Sequence, residues 1–282
     1  MKLIARISAL AVALTMATAL SRPAPAQAQD LSNPRIQIGY IPPKSVKFQA
    51  TLERIKQRKV LEQLAEFLSP LKMPHVLYLV SAECGENSSN FYNPSTWAIV
   101  LCYEYIELMN RIAPEAGKPQ QGFNRDEVMI GAFVGSVLHE SGHAVFDMVE
   151  VPVFGREEDA ADQIAIFLAL QFNKDVARTI TRGRAFFWAV LGDPKEWADF
   201  ADEHGTSSQR FYNTLCLAYG GDPQTFKEFV DKGWLPKDRA ANCAAEYKQV
   251  YAAFEKTIYP FIDQAMMKKV QAKDWMKSMS GR

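Results

Sequence analysis

The chain lacks a surplus of either charge, with 32 basic against 32 acidic residues in a length of 282. Without a basic excess there is no electrostatic ground for nucleic acid as a partner. Past the N-terminus, no uninterrupted apolar run is long enough to cross a bilayer, which argues against stable membrane insertion of the mature chain. No CxxC spacing occurs, so the four cysteines do not read as a zinc knuckle. There is no internal repeat and no low-complexity tract. Histidine is scarce as well: four residues, two of them within five positions of each other.

The first 28 residues have the pattern of a secretory signal peptide. Lys2 and Arg6 precede an uncharged stretch from Ile7 to Leu20, and Ala26-Gln27-Ala28 forms an A-x-A cleavage site. The apolar run is too short for a retained membrane span. Cleavage after Ala28 leaves 29 basic and 32 acidic residues, so the exported chain, periplasmic or extracellular, carries a net charge of −3.

Four cysteines suit an oxidising compartment. Cys84 ends one apolar run, HVLYLVSAEC, and Cys102 lies in another, WAIVLCY. Asn93-Pro94-Ser95 between them is a turn signal, so a hairpin centred there is expected to face the two sulfurs. That leaves Cys216 to pair with Cys243.

The remaining pattern is α+β and predominantly helical. Residues 29–45, with three prolines, read as an extended lead-in. Leu52, Ile55, Leu61, Leu64, Ala65 and Leu68 space one amphipathic helix over Ser45–Leu68, stopped by Pro70. Asn124 and Glu127 form a capping box for a helix reaching Val149. Further helices are expected over 156–172, 180–192, 206–219, 223–232 and 238–275. Residues 29–282 are read as a single domain, with an N-terminal lobe of about 36–150 and a helical C-terminal lobe of about 151–282.

The chemistry gathers in VLHESGHAVFDM, residues 137–148. Residues four apart on a helix project from one face, so His139 and His143 can both reach one ion at the 2.0–2.1 Å that suits zinc. Glu140, about 100° further round, is placed to act as general base on a water. Opposite the histidines run Ile130, Phe133, Val134, Val137, Ala144, Val145 and Met148, a core stripe. On the histidine side Ala132, Gly135 and Ser136 are small, and Gly142 inside the motif invites close approach by another segment. Glycine in a helix interior costs about 1 kcal/mol relative to alanine, so such glycines point to a packing need. The competing reading is a buried helix with two hydrogen-bonded imidazoles.

A catalytic zinc normally has three protein ligands and an open position. A third histidine six residues on is excluded, because position 149 is valine. The next acids lie in GREEDAAD, 155–162, where only Glu158 has an acidic partner one turn later, Asp162. Glu158 is therefore the preferred third ligand, with Asp159 as alternative. Asp162 is expected to accept from a ligating imidazole and fix its tautomer.

These motifs resemble the bacterial metallopeptidase-like chains grouped as domain of unknown function family 4344. HESGH followed by GREEDAAD carries the resemblance, together with AECGENSSNFYNP, IVLCYEYI, DEHGTSSQRFYNTLC and the CAAEY run at 243–247. It extends over most of the mature chain, although the C-terminal segment MMKKVQAKDWMKSMSGR has no match. The resemblance implies a zincin-like fold, with an active-site helix beside a small β-sheet or hairpin. It also implies a gluzincin-type HExxH…ExxxD site, with His139, His143 and Glu158 on one zinc ion per chain and Glu140 as base.

An oxyanion donor completes such a mechanism. His204, oriented by Asp202 or Glu203, is the leading candidate, followed by Arg210 and Tyr212; His75 is assigned no role. WAIVLCY reads equally as an edge strand for an extended peptide or as a buried strand. The expected function is zinc-dependent hydrolysis of a peptide or protein substrate. The alternative is an exported non-enzymatic binding protein with a structural or vestigial metal.

Overall fold

A computed structural model describes residues 35–85, 89–120, 122–193 and 200–280, without the side chains of residues 278–280. The signal-peptide expectation lies outside the described residues. No described helix is long and apolar enough to cross a membrane.

Four strands form one mixed sheet in the order β1-β2-β4-β3: β1 Ile36–Tyr40, β2 Leu77–Ala82, β3 Phe91–Asn93 and β4 Ala98–Cys102. β1, β2 and β4 are parallel, and β3 runs antiparallel to β4, so β1 and β3 are the two edge strands. The expected hairpin between the two cysteine-bearing runs is therefore not what forms. β2 and β4 lie side by side in parallel, and the Asn93-Pro94-Ser95 turn belongs to the short β3–β4 hairpin. Cys84 and Cys102 still pair, with Cα atoms 5.5 Å apart, because Cys102 ends β4 and Cys84 lies two residues past the matching end of the parallel strand β2. WAIVLCY supplies β4, which is interior to the sheet and buried, as the buried-strand alternative has it. The second bridge, Cys216–Cys243, has Cα atoms 5.0 Å apart.

The expected helix over Ser45–Leu68 is two helices, α1 Gln49–Gln57 and α2 Val60–Leu68. After Ile55 the apolar stripe would need residue 58 or 59, but these are Arg58 and Lys59. Lys59 takes a left-handed conformation with φ 50°, and the turn brings Leu61 and Leu64 back to the core. α3, Tyr103–Ile112, leaves the end of β4 directly.

α4, Arg125–Met148, starts at the expected capping box: Glu127 N donates to Asn124 Oδ1 at 2.9 Å. α5, Glu157–Ala169, and α6, Lys174–Leu191, pack on it, and α7, Ser207–Gly221, packs on both. α6 begins earlier than expected because Asn173 caps it, accepting from Val176 N at 3.0 Å. A Cβ on Gly131 would stand 1.9 Å from the Thr179 carbonyl oxygen, and one on Gly183 would stand 2.6 Å from Gly131 Cα, so α4 and α6 touch backbone to backbone. α8 is a short Lys227–Asp231.

The expected C-terminal helix is interrupted. α9, Lys237–Thr257, ends before Pro260, which has no N–H to continue the ladder. The chain turns, caps α10 (Gln264–Ala272) with Asp263 and ends in α11, Trp275–Ser280. Trp275 is fully buried, edge-on to Phe67 of α2 at 5.2 Å. One buried cluster thus runs from Ile36 to Trp275, with the middle of α4 inside it.

Candidate metal centre and its cleft

Mid-helix burial sets the first three groups. His139 and Glu140 are 5% and 7% exposed, held in the well-packed centre of α4. Gly142 then determines how near α5 comes: a Cβ there would lie 3.2 Å from Ala161 Cα. This approach sets the opening turn of α5 against the two histidines. Glu158 Oε2 lies 3.0 Å from His139 Nε2 and 3.4 Å from His143 Nε2, while the two Nε2 atoms are 3.3 Å apart. Asp159 turns away to Arg156, 2.7 Å distant, so of the two candidate acids it is Glu158 that meets the histidines.

The outer ring nitrogens face carboxylates. His139 Nδ1 lies 2.8 Å from Asp162 Oδ1, and His143 Nδ1 lies 2.7 Å from Glu157 Oε1. An ionised carboxylate only accepts, so both rings carry a proton on Nδ1 and, when neutral, present a lone pair at Nε2. Two lone pairs and a carboxylate oxygen then converge, an arrangement that repels itself unless a cation or protons lie between. Glu158 Oε2 is buried and accepts no well-aligned hydrogen bond. Ligands at 2.0–2.1 Å in a tetrahedron are roughly 3.3 Å apart, close to the three edges found here. The donor set fits a zinc-sized dication.

His204 stands on the outer side of Glu158. Its Nε2 is 2.9 Å from Glu158 Oε2 and its Nδ1 is 2.7 Å from Asp202 Oδ1. Among the described residues it groups with Glu158 and Glu203, and not with the two α4 histidines. Arg210 is directed at Asp162, with Nε 2.6 Å from Oδ2. Tyr212 is 40% exposed and does not line the cleft. His75 stacks on Trp97 with ring centroids 3.9 Å apart.

The electrostatics follow from burial set against these partners. Burial raises the Glu140 carboxyl, partly offset by the imidazoles of His139 and His143. At Glu158 burial also acts upward, but the imidazoles of His139, His143 and His204 outweigh it and hold the group far below the carboxylate range. Asp162 is likewise depressed despite burial, by Arg184, His139 and Arg210. Burial opposes the charged form of His143, yet Glu158 and Glu157 prevail and push it up to about 9. Glu158 raises His204 against burial and Arg210.

Sequence reasoning missed three features. The Tyr92 backbone N–H, on β3, donates to Glu140 Oε2 at 2.9 Å, and no side-chain pattern announces a main-chain contact across 48 residues. Asn90 ties the same segment down, donating to Ser136 Oγ at 3.1 Å and accepting from Cys102 N at 2.9 Å. Arg184 is buried in α6, donating to Gly135 O at 2.9 Å and pairing with Asp162. An arginine inside TRGRAFFWAV was the available signal for it, since a buried cation needs a partner. All of these groups border one open cleft of about 920 Å³.

A family model described as "Putative metallopeptidase", domain of unknown function family 4344, matches residues 40–258. No curated protein matches the chain. No solved structure matches it.

Proposed function

The chain belongs to this metallopeptidase family, and from that premise we propose that it is an exported, zinc-dependent peptidase of the HExxH…ExxxD gluzincin type. The observation that carries the reading is the convergence of His139 Nε2, His143 Nε2 and Glu158 Oε2 in an open cleft that also contains Glu140. Three protein ligands with space beside them suit catalysis, whereas structural sites close all four positions. Two disulfides fit an oxidising compartment and hence export.

His139, His143 and Glu158 would hold the ion, and Asp162 and Glu157 orient the two rings. When bound, the ion supplies Lewis acidity to the scissile carbonyl and to the attacking water. Glu140 takes the proton from that water and returns it to the leaving nitrogen. Its Oε2 is occupied by the Tyr92 N–H, so the proton is carried on Oε1. His204, with Nδ1 on Asp202 and Nε2 on Glu158, lines the cleft and would donate to the developing oxyanion once Glu158 turns to the ion.

Elemental analysis and peptide digestion test the proposal. Purified protein is expected to contain one zinc per chain, to cleave peptides, and to lose both properties on chelation. Glu158→Ala is expected to lose zinc. Cleavage that survives complete removal of metal would overturn the reading.

A further inference from the structure

Two buried donors in the cleft have no acceptor: Nε of Arg184 and Nε1 of Trp188. Both side chains line the cleft, at 3% and 9% exposure. Burying an N–H without an acceptor is unfavourable, and native proteins rarely leave one so. Both belong to side chains of the cleft wall, with Arg184 Cζ 5.5 Å from the Trp188 ring centroid, and an acceptor brought by a ligand would complete them.

The sign of that acceptor follows from the surrounding charge. Arg184 and Arg210 both close on one carboxylate, Asp162. The Arg210 guanidinium lies 3.8 Å from the Trp188 ring centroid and that of Arg184 lies 5.5 Å from it. Two cations and one anion are thus confined beneath an aromatic wall, and an uncompensated buried charge is costly. Glu140 also acts on Arg184, but with Glu158 it faces the position of the ion. With a dication bound, Asp162, Glu140 and Glu158 stand against two guanidiniums and the ion's two charges, which leaves a net positive charge. Glu203 is exposed at the rim. Asp147, Glu157 and Asp202 are engaged with Tyr92, His143 and His204.

We infer that Arg184, Trp188 and Arg210 form a carboxylate-binding pocket beside the metal centre, and that the preferred substrate is a peptide with a carboxylate close to the bond cut. The pocket is near the chemistry because Asp162 contacts His139 as well as both arginines. The inference rests on the peptidase reading. An acidic side chain and a free C-terminus supply the same chemistry, and the experiment separates them.

Isothermal titration of zinc-loaded Glu140→Gln protein would use four probes: N-acetyl-leucyl-leucine, its C-terminal amide, and two further amides ending in glutamate or glutamine. A carboxylate-bearing probe is expected to bind at least tenfold more tightly than its uncharged counterpart. Preference for the free acid assigns the pocket to a C-terminus, and preference for the glutamate amide assigns it to a side chain. Trp188→Phe keeps the ring and removes one donor, and should reduce the preference about tenfold while zinc content and binding of the uncharged amide stay unchanged. Equal binding of charged and uncharged probes would overturn the inference, as would a preference that survives both Trp188→Phe and Arg184→Met. Equal binding in a protein that holds zinc and cleaves peptides removes this pocket alone. A protein that holds no zinc removes the peptidase reading.

Discussion

The main-chain N–H of Tyr92 donates to Glu140 Oε2 at 2.9 Å, joining an edge strand of the sheet to the carboxylate beside the candidate metal centre. The contact is held from both sides. Asn90 anchors β3 to α4 and β4, and the Tyr92 hydroxyl donates to Asp147 at 2.7 Å. Replacing Glu140 by Gln keeps an acceptor for Tyr92 and removes the base. Hydrolysis should fall by about 10²–10⁴, the usual contribution of a positioned general base, with zinc content unchanged. Steady-state kinetics alongside elemental analysis will check this, and a fall of less than tenfold would displace Glu140 from its role.

Asp162 faces three cationic or proton-bearing partners, His139, Arg184 and Arg210. Asp162→Ala leaves two arginines buried without their carboxylate and His139 without its orienting group. Breaking a buried pair costs about 3–5 kcal/mol, and losing an outer partner of a ligand weakens metal binding about 10–100-fold. Denaturant titration and competitive zinc titration measure the two effects separately.

Protons compete with metal at this centre. His143 in the metal-free protein is pushed up to about 9, because Glu158 and Glu157 outweigh burial. The folded pKa is raised, so this ring's contribution to metal-free stability is fully present below its unfolded value of about 6.5. It is lost as pH rises through about 9. Zinc must displace that proton, so the apparent dissociation constant should increase about tenfold for each unit that pH falls below 9. Zinc affinity independent of pH between 7 and 9 would contradict the protonated His143.

Gly142 spaces α5 against α4. Valine there forces atoms into the Ala161 backbone, 3.2 Å from where its Cβ would lie, and moves the opening turn of α5 from the histidines. Overpacking of this kind costs about 1–3 kcal/mol. Zinc affinity should fall at least tenfold while helical content by circular dichroism is retained. Unchanged affinity would show that α5 does not depend on this contact for its position.

Legibility followed locality. The α4 capping box, the pairing of His139 with His143 and the core stripe behind them depend on a repeat of 3.6 residues, which can be counted in the sequence. Glu158 was readable one step further, because its partner Asp162 follows one turn later on the same helix. The α1–α2 break was readable too, in the polar residues at positions 58 and 59 where the stripe needed an apolar one. The direction of β2 and β4 was not, since alternation along a strand is the same in parallel and antiparallel sheets. Disulfide pairing survived that error because either arrangement brings Cys84 near Cys102.

By itself, then, the sequence determined a helix that carries two imidazoles and a carboxylate on neighbouring faces, because those positions are set by bonds within a few residues. Only the tertiary structure decided that Tyr92 would hold Glu140, that His204 would stand outside Glu158, and that two arginines would share Asp162. These contacts join residues tens of positions apart, and they form because helix packing, set by glycines at Gly131, Gly142 and Gly183, brings separate elements within hydrogen-bond reach.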